Sequence, residues 1–78
     1  MSAKPLDEIE MGRHVNVAVI GGGHHMRATL NNRGIHVGDG LTVLRAGILR
    51  GPIVVRVHGS EVALGRHMAH RILVEAAP

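Results

Sequence analysis

Histidine has the widest chemical reach of any residue type in this sequence. Seven are present, at positions 14, 24, 25, 36, 58, 67 and 70. His67 and His70 are three apart, which lets both share one face of a helical turn. Two imidazoles on one face are candidate ligands for Fe(II) or another divalent transition ion. A closed metal site recruits three or four donors. No cysteine, and no carboxylate at a matching spacing, joins this pair in the sequence. The expectation is loose divalent-ion binding at most, with no cofactor required.

His24 and His25 follow the run Gly21-Gly22-Gly23. Backbone N–H groups at a helix start attract anions. The dinucleotide fingerprint needs a third glycine where Met26 stands, and no Lys-Ser or Lys-Thr follows for a phosphate loop. The run therefore reads as a connection that aims the following helix. Six acids (Asp7, Glu8, Glu10, Asp39, Glu61, Glu75) are spread along the chain, and the two serines are Ser2 and Ser60. No nucleophile, base and orienting group fall into a recognisable set. The expectation is a protein that is not an enzyme.

These side chains must be positioned by one small domain, because 78 residues allow no more. The chain is 45% apolar but has no Phe, Tyr, Trp or Cys. Its core must be Val, Ile, Leu, Met and Ala, and no disulfide can staple it. No signal-peptide pattern opens the sequence, and no apolar run approaches the roughly 20 residues that span a bilayer. A cytoplasmic location is expected. The formal charge is +3, from eight arginines and one lysine against six acids. The arginines are scattered, which suits a solvated surface. A small basic barrel binding single-stranded nucleic acid is the rival class. Such surfaces usually stack bases on aromatic rings, and this chain has none.

The stretch Met26–Val43 organises the rest. Met26 and Leu30 share a helix face, and the helix is expected from about 24 to 33. Gly34 stands at the left-handed position after the helix, with Leu30 and Ile35 as the apolar pair of a Schellman ending. Gly38-Asp39-Gly40 is a turn. Val15, Val17 and Val19 alternate with polar or small residues as a first strand, their side chains on one face. Further strands are expected over 41–46, 53–58 and 61–64. Gly59-Ser60 is read as the two-residue turn of a hairpin joining the last two of these. One helical turn over 65–70 leads to a last strand over 71–75, with Ile72 and Val74 inward. Pro5, Leu6 and Ile9 are expected to hook the N-terminal segment onto the barrel end. Five short strands and one helix bury most apolar area by closing into a barrel.

The residues Gly21-Gly22-Gly23, Met26-Arg27-Ala28-Thr29-Leu30 and Arg33-Gly34-Ile35 carry a resemblance. So do Gly38 leading into Leu41-Thr42-Val43, Gly51-Pro52-Ile53, Val55-Arg56-Val57, Gly59, and Val62-Ala63-Leu64-Gly65. Ala69, Ile72 and Val74 complete it. Together, from about residue 5 to 75, they resemble the ferrous iron transport protein A (FeoA) family of small SH3-like barrels. The family usually has Pro-Gly where this chain has Val37-Gly38, and a helix richer in leucine and arginine where Asn31 and Asn32 stand. The same domain also occurs at the C-terminus of iron-dependent repressors, and this chain is expected to lack a DNA-binding part.

The resemblance implies a non-catalytic cytosolic accessory of bacterial ferrous iron uptake. It would bind the cytosolic GTP-binding part of the FeoB membrane transporter and regulate or scaffold it, without inserting in the membrane itself. A metal-responsive, self-associating module is the alternative, alongside nucleic-acid binding. From the residues, two contact surfaces are candidates. Ile48 and Leu49 lie in a glycine-bounded turn rimmed by Arg45 and Arg50. They either form an exposed contact tip or fold back to cap the barrel. The helix's outer face, with Arg27, Asn31 and Asn32, is the second candidate.

Overall fold

The computed structural model describes residues 3–46 and 51–77. Six antiparallel strands form one sheet: β1 (Lys4–Pro5), β2 (His14–Ile20), β3 (Gly40–Arg45), β4 (Ile53–Val57), β5 (Ser60–Leu64) and β6 (Ile72–Ala76). Their spatial order is β1-β6-β2-β3-β4-β5. Two helices are inserted, α1 (Gly23–Asn32) between β2 and β3 and α2 (Arg66–His70) between β5 and β6. A 3-10 turn, Leu6–Glu8, follows β1. The described chain extends 29 × 28 × 24 Å. Buried side chains from β2, β3, β4, β5 and β6 belong to one cluster, so the inner face of the sheet encloses a single core. The expected SH3-like, mainly β architecture is present, with the two-residue β1 as a sixth strand.

Alternation along the strands builds the core. Val15 and Val17, Leu41 and Val43, Ile53, Val55 and Val57, and Ile72 and Val74 are all buried. Leu6, Leu30, Ile35, Leu64 and Ala69 complete the same cluster, and Ile9, Met26, Val62 and Met68 pack against it. Aliphatic side chains alone thus fill the interior. The N-terminal segment does hook on, because Leu6 is fully buried while β1 pairs with β6.

One strand departs from simple alternation. Val19 was expected to face inward with Val15 and Val17, but it is 48% exposed and Ile20 is buried instead. The β2–β6 register shifts between Val17 and Val19, so an extra residue there reverses the facing of Val19 and Ile20. The hairpin turn is also one residue earlier than expected. Val57 pairs with Ser60, leaving His58 and Gly59 as its centre. Both have positive φ, 50° and 79°. That is the backbone of a type I′ turn, whose twist matches the strands it joins.

Helix α1 ends as the local sequence predicts. Gly34 has φ 90°. The Ile35 N–H donates to the Leu30 carbonyl at 3.0 Å, and the Gly34 N–H to the Asn31 carbonyl at 3.0 Å. These are the two hydrogen bonds of a Schellman ending. Leu30 and Ile35 are both fully buried, so the cap also pins α1 to the core.

Candidate functional site

The candidate contact surface on α1 is presented by this cap. Burial of Leu30 and partial burial of Met26 turn Arg27, Asn31 and Asn32 outward, and all three are exposed. Arg27 and Asn32 remain available for a partner. Asn31 is committed locally: with its amide oriented to satisfy both atoms, its nitrogen donates to the Ile35 carbonyl at 2.8 Å and the Arg27 carbonyl at 3.2 Å. Just past the helix, Arg33 Nη1 donates to the Ala63 carbonyl at 3.1 Å. This bond ties the end of α1 to β5, the last strand of the sheet.

The other candidate surface is described only at its margin. Arg45 is exposed at the end of β3, and its Nη2 lies 3.3 Å from Glu61 Oε1 on β5. Arg56 Nη2 is 3.7 Å from the other Glu61 oxygen. Arg45 is therefore held across the sheet and is not a free rim charge. Ile48, Leu49 and Arg50 lie outside the described residues. No described contact brings Arg45 against α1.

The turn after α1 carries a polar clasp. The Asp39 carboxylate accepts from the His36 backbone N–H at 2.7 Å. His36 Nδ1 lies 3.4 Å from the same oxygen, and His58 Nε2 lies 3.1 Å from the other. Gly38, with φ 95°, donates to the Val17 carbonyl at 2.8 Å, and the Asp39 carbonyl accepts from Val17 N–H at 2.8 Å. The clasp thus joins the α1–β3 turn to both β2 and the β4–β5 turn. Burial alone would raise the Asp39 pKa, but the His36 backbone N–H and the His58 ring outweigh it and lower the value below the ordinary aspartate range. Gly38 and Gly59 were legible as turn residues. His58 was not legible as the partner of Asp39, because a contact across 19 positions leaves no local signal.

A second carboxylate–imidazole pair lies at the other candidate site. His70 Nδ1 is 3.2 Å from both Asp7 oxygens. His67 is exposed on the same short helix. Among the described residues, no three His, Asp or Glu side chains converge as a closed metal centre. Asp7 is the residue that sequence reasoning missed, since 63 positions separate it from His70.

Hydrolytic machinery has little support in these contacts. Thr42 Oγ1 and His14 Nδ1 are 2.7 Å apart, a hydroxyl–imidazole pair on exposed strand surface. No described contact supplies the third, orienting group. A cavity of about 200 Å³ lies elsewhere, and its lining includes Lys4, Arg13, Glu8, Glu10, Val15 and Val74. Histidine, serine and threonine are absent from its lining. No described helix is long and apolar enough to cross a membrane.

Comparison with known proteins gives these features a family. The FeoA domain profile matches residues 4–76. A candidate Fe(2+) transport protein A of Methanocaldococcus jannaschii is 36% identical over 73 residues, covering 94% of this chain and 87% of that protein. The crystal structure of an iron uptake regulatory protein (FeoA) superposes with a TM-score of 0.88 at 32% identity, covering 99% of this chain and all of the other. A manganese-dependent transcriptional repressor in complex with manganese superposes with a TM-score of 0.90 at 28% identity, and there the match spans 38% of the repressor. Sequence and fold agree over the same elements, and the chain belongs to the FeoA domain family.

Proposed function

We propose that this chain is a non-catalytic accessory protein of ferrous iron uptake. It acts by contact with the cytosolic GTP-binding part of the FeoB membrane transporter, at the inner face of the membrane. The observation that carries this reading is the 36% identity to a candidate Fe(2+) transport protein over nearly the whole of both chains. The surface chemistry supports it. His14, His36, His58, His70, Asp7, Asp39 and Glu61 make contacts with other described residues, while Arg27 and Asn32 project from a helix whose far side is locked into the core. A rigid small domain presenting a polar helix face suits protein contact better than turnover. Iron is the cargo of such a system and passes through the transporter.

The test is titration of the full chain into the purified GTP-binding part of FeoB from the same organism, followed by calorimetry. Saturable one-to-one binding is expected. Arg27→Glu with Asn32→Glu should weaken it if α1 is the contact, and Ile48→Asp with Leu49→Asp if the tip is. No measurable binding in any nucleotide state would remove the transporter-contact reading.

A further inference from the structure

The geometry points to an open site for a divalent transition-metal ion on α2, formed by the imidazoles of His67 and His70 and positioned by the Asp7 carboxylate. Burial fixes the outer face of this helix. Ala69 is fully buried and Met68 packs against the core. At about 100° per residue, His67 and His70 fall on the opposite side, roughly 60° apart. Side chains three apart on a helix have Cβ atoms about 5–6 Å from each other. Both imidazoles are exposed, so one ion can approach both from solvent.

The Asp7 contact decides which nitrogen is offered. His70 Nδ1 faces both carboxylate oxygens at 3.2 Å, so Nδ1 carries the proton and donates it. The lone pair then lies on Nε2, the outer nitrogen of a ring that is 61% exposed. A carboxylate behind a ligating imidazole fixes its tautomer and ring orientation, as in carboxylate–histidine–metal arrangements. Asp7 itself is well placed for this role. It sits in the 3-10 turn that Leu6 anchors in the core, and its side chain is mostly shielded. Two imidazoles leave the remaining coordination positions to water. Imidazole donors suit Cu(II), Ni(II) and Zn(II), and the general affinity order places Mn(II) and Fe(II) below them.

The site is independent of the transporter contact, since it uses neither α1 nor the 47–50 segment. Its test is calorimetric titration of the full chain with Zn(II) and with Ni(II), with side-chain imidazole NMR as a second readout. One ion per chain is expected, with Nε2 resonances of His67 and His70 shifting together. His67→Gln with His70→Gln should abolish that binding. Asp7→Ala should weaken it about tenfold, and Asp7→Asn, whose carbonyl oxygen still accepts from Nδ1–H, should restore most of the loss. Thermal unfolding checks that each variant folds. If Asp7→Ala does not fold, the His70 tautomer read by NMR in the unmodified chain decides the positioning role, and a proton on Nε2 would overturn it. Unchanged affinity in the double histidine variant, or ion-dependent shifts confined to the other five histidines, would overturn the site.

Discussion

Two carboxylate–imidazole pairs join distant parts of this chain, and they are built differently. Asp39 and Asp7 are similarly shielded, with 16% and 15% of their side chains exposed. Asp39 receives a backbone N–H at 2.7 Å as well as two histidine rings, and its turn is bonded to β2 on both sides of Gly38. Asp7 faces one ring, with both oxygens at the same distance from Nδ1. The backbone donor has a fixed direction and cannot leave without unmaking the turn, so Asp39 is a structural clasp. Asp7 instead sets the state of a ring whose other nitrogen faces water. The lesson is that the same pair of residue types can close a structure or arm a surface. Which one it does depends on what else the carboxylate accepts.

The largest test of this contrast removes the anchor beneath one pair. Leu6→Ala should cost about 2–5 kcal/mol, because it empties a fully buried site under the Asp7 turn. Urea unfolding would measure it. A loss well under 1 kcal/mol would show that the turn is held otherwise and that Asp7 is not rigidly placed.

Next, Asp39→Ala should cost about 1–3 kcal/mol, since the His36 N–H and the His58 ring lose their acceptor together. Asp7→Ala should cost less than about 1 kcal/mol, in the range of an exposed ion pair. Equal losses at the two positions would erase the distinction between clasp and positioning group.

Acid separates Asp39 from its surroundings. Its folded-state pKa is lowered, so the stability it contributes is complete above the ordinary aspartate value of about 4. That contribution is lost as pH falls through the lowered folded-state value. Unfolding free energy measured from pH 5 downward should therefore drop less steeply in Asp39→Asn than in the unmodified chain. Parallel slopes would mean that other carboxylates carry the acid sensitivity.

The smallest expected effect is at the hairpin turn, where His58→Asn should change stability by well under 1 kcal/mol. Asparagine tolerates the positive φ that His58 adopts, which offsets the lost ring contact to Asp39. A loss as large as that of Asp39→Ala would assign the whole clasp to His58 rather than to the His36 backbone bond.

Several features were legible because they obey rules of near neighbours in the chain. The Schellman ending needs only a leucine, a glycine and an isoleucine at fixed offsets, and Leu30, Gly34 and Ile35 supply them. Alternation in Ile53–Val57 and Ile72–Val74 gave strand faces directly. The spacing of His67 and His70 marked a shared helix face. The β2 bulge was hidden, because the valine alternation continues through Val19 while the ladder does not. The Gly59 turn was legible but misplaced by one residue, since both Gly-Ser and His-Gly centres fit a two-residue connection and only the register with β4 chooses.

By itself, then, the sequence determined the aliphatic core, the helix cap, the strand alternation and the family resemblance. All of these are carried by residue type at short or regular spacing. Tertiary structure alone decided that Asp39 meets His58, that Arg33 reaches β5 and that Asp7 stands behind His70. Those contacts depend on strand register and on where the chain ends of each element come to rest. No local pattern encodes them, because the partners become neighbours only after the strands have assembled over one core.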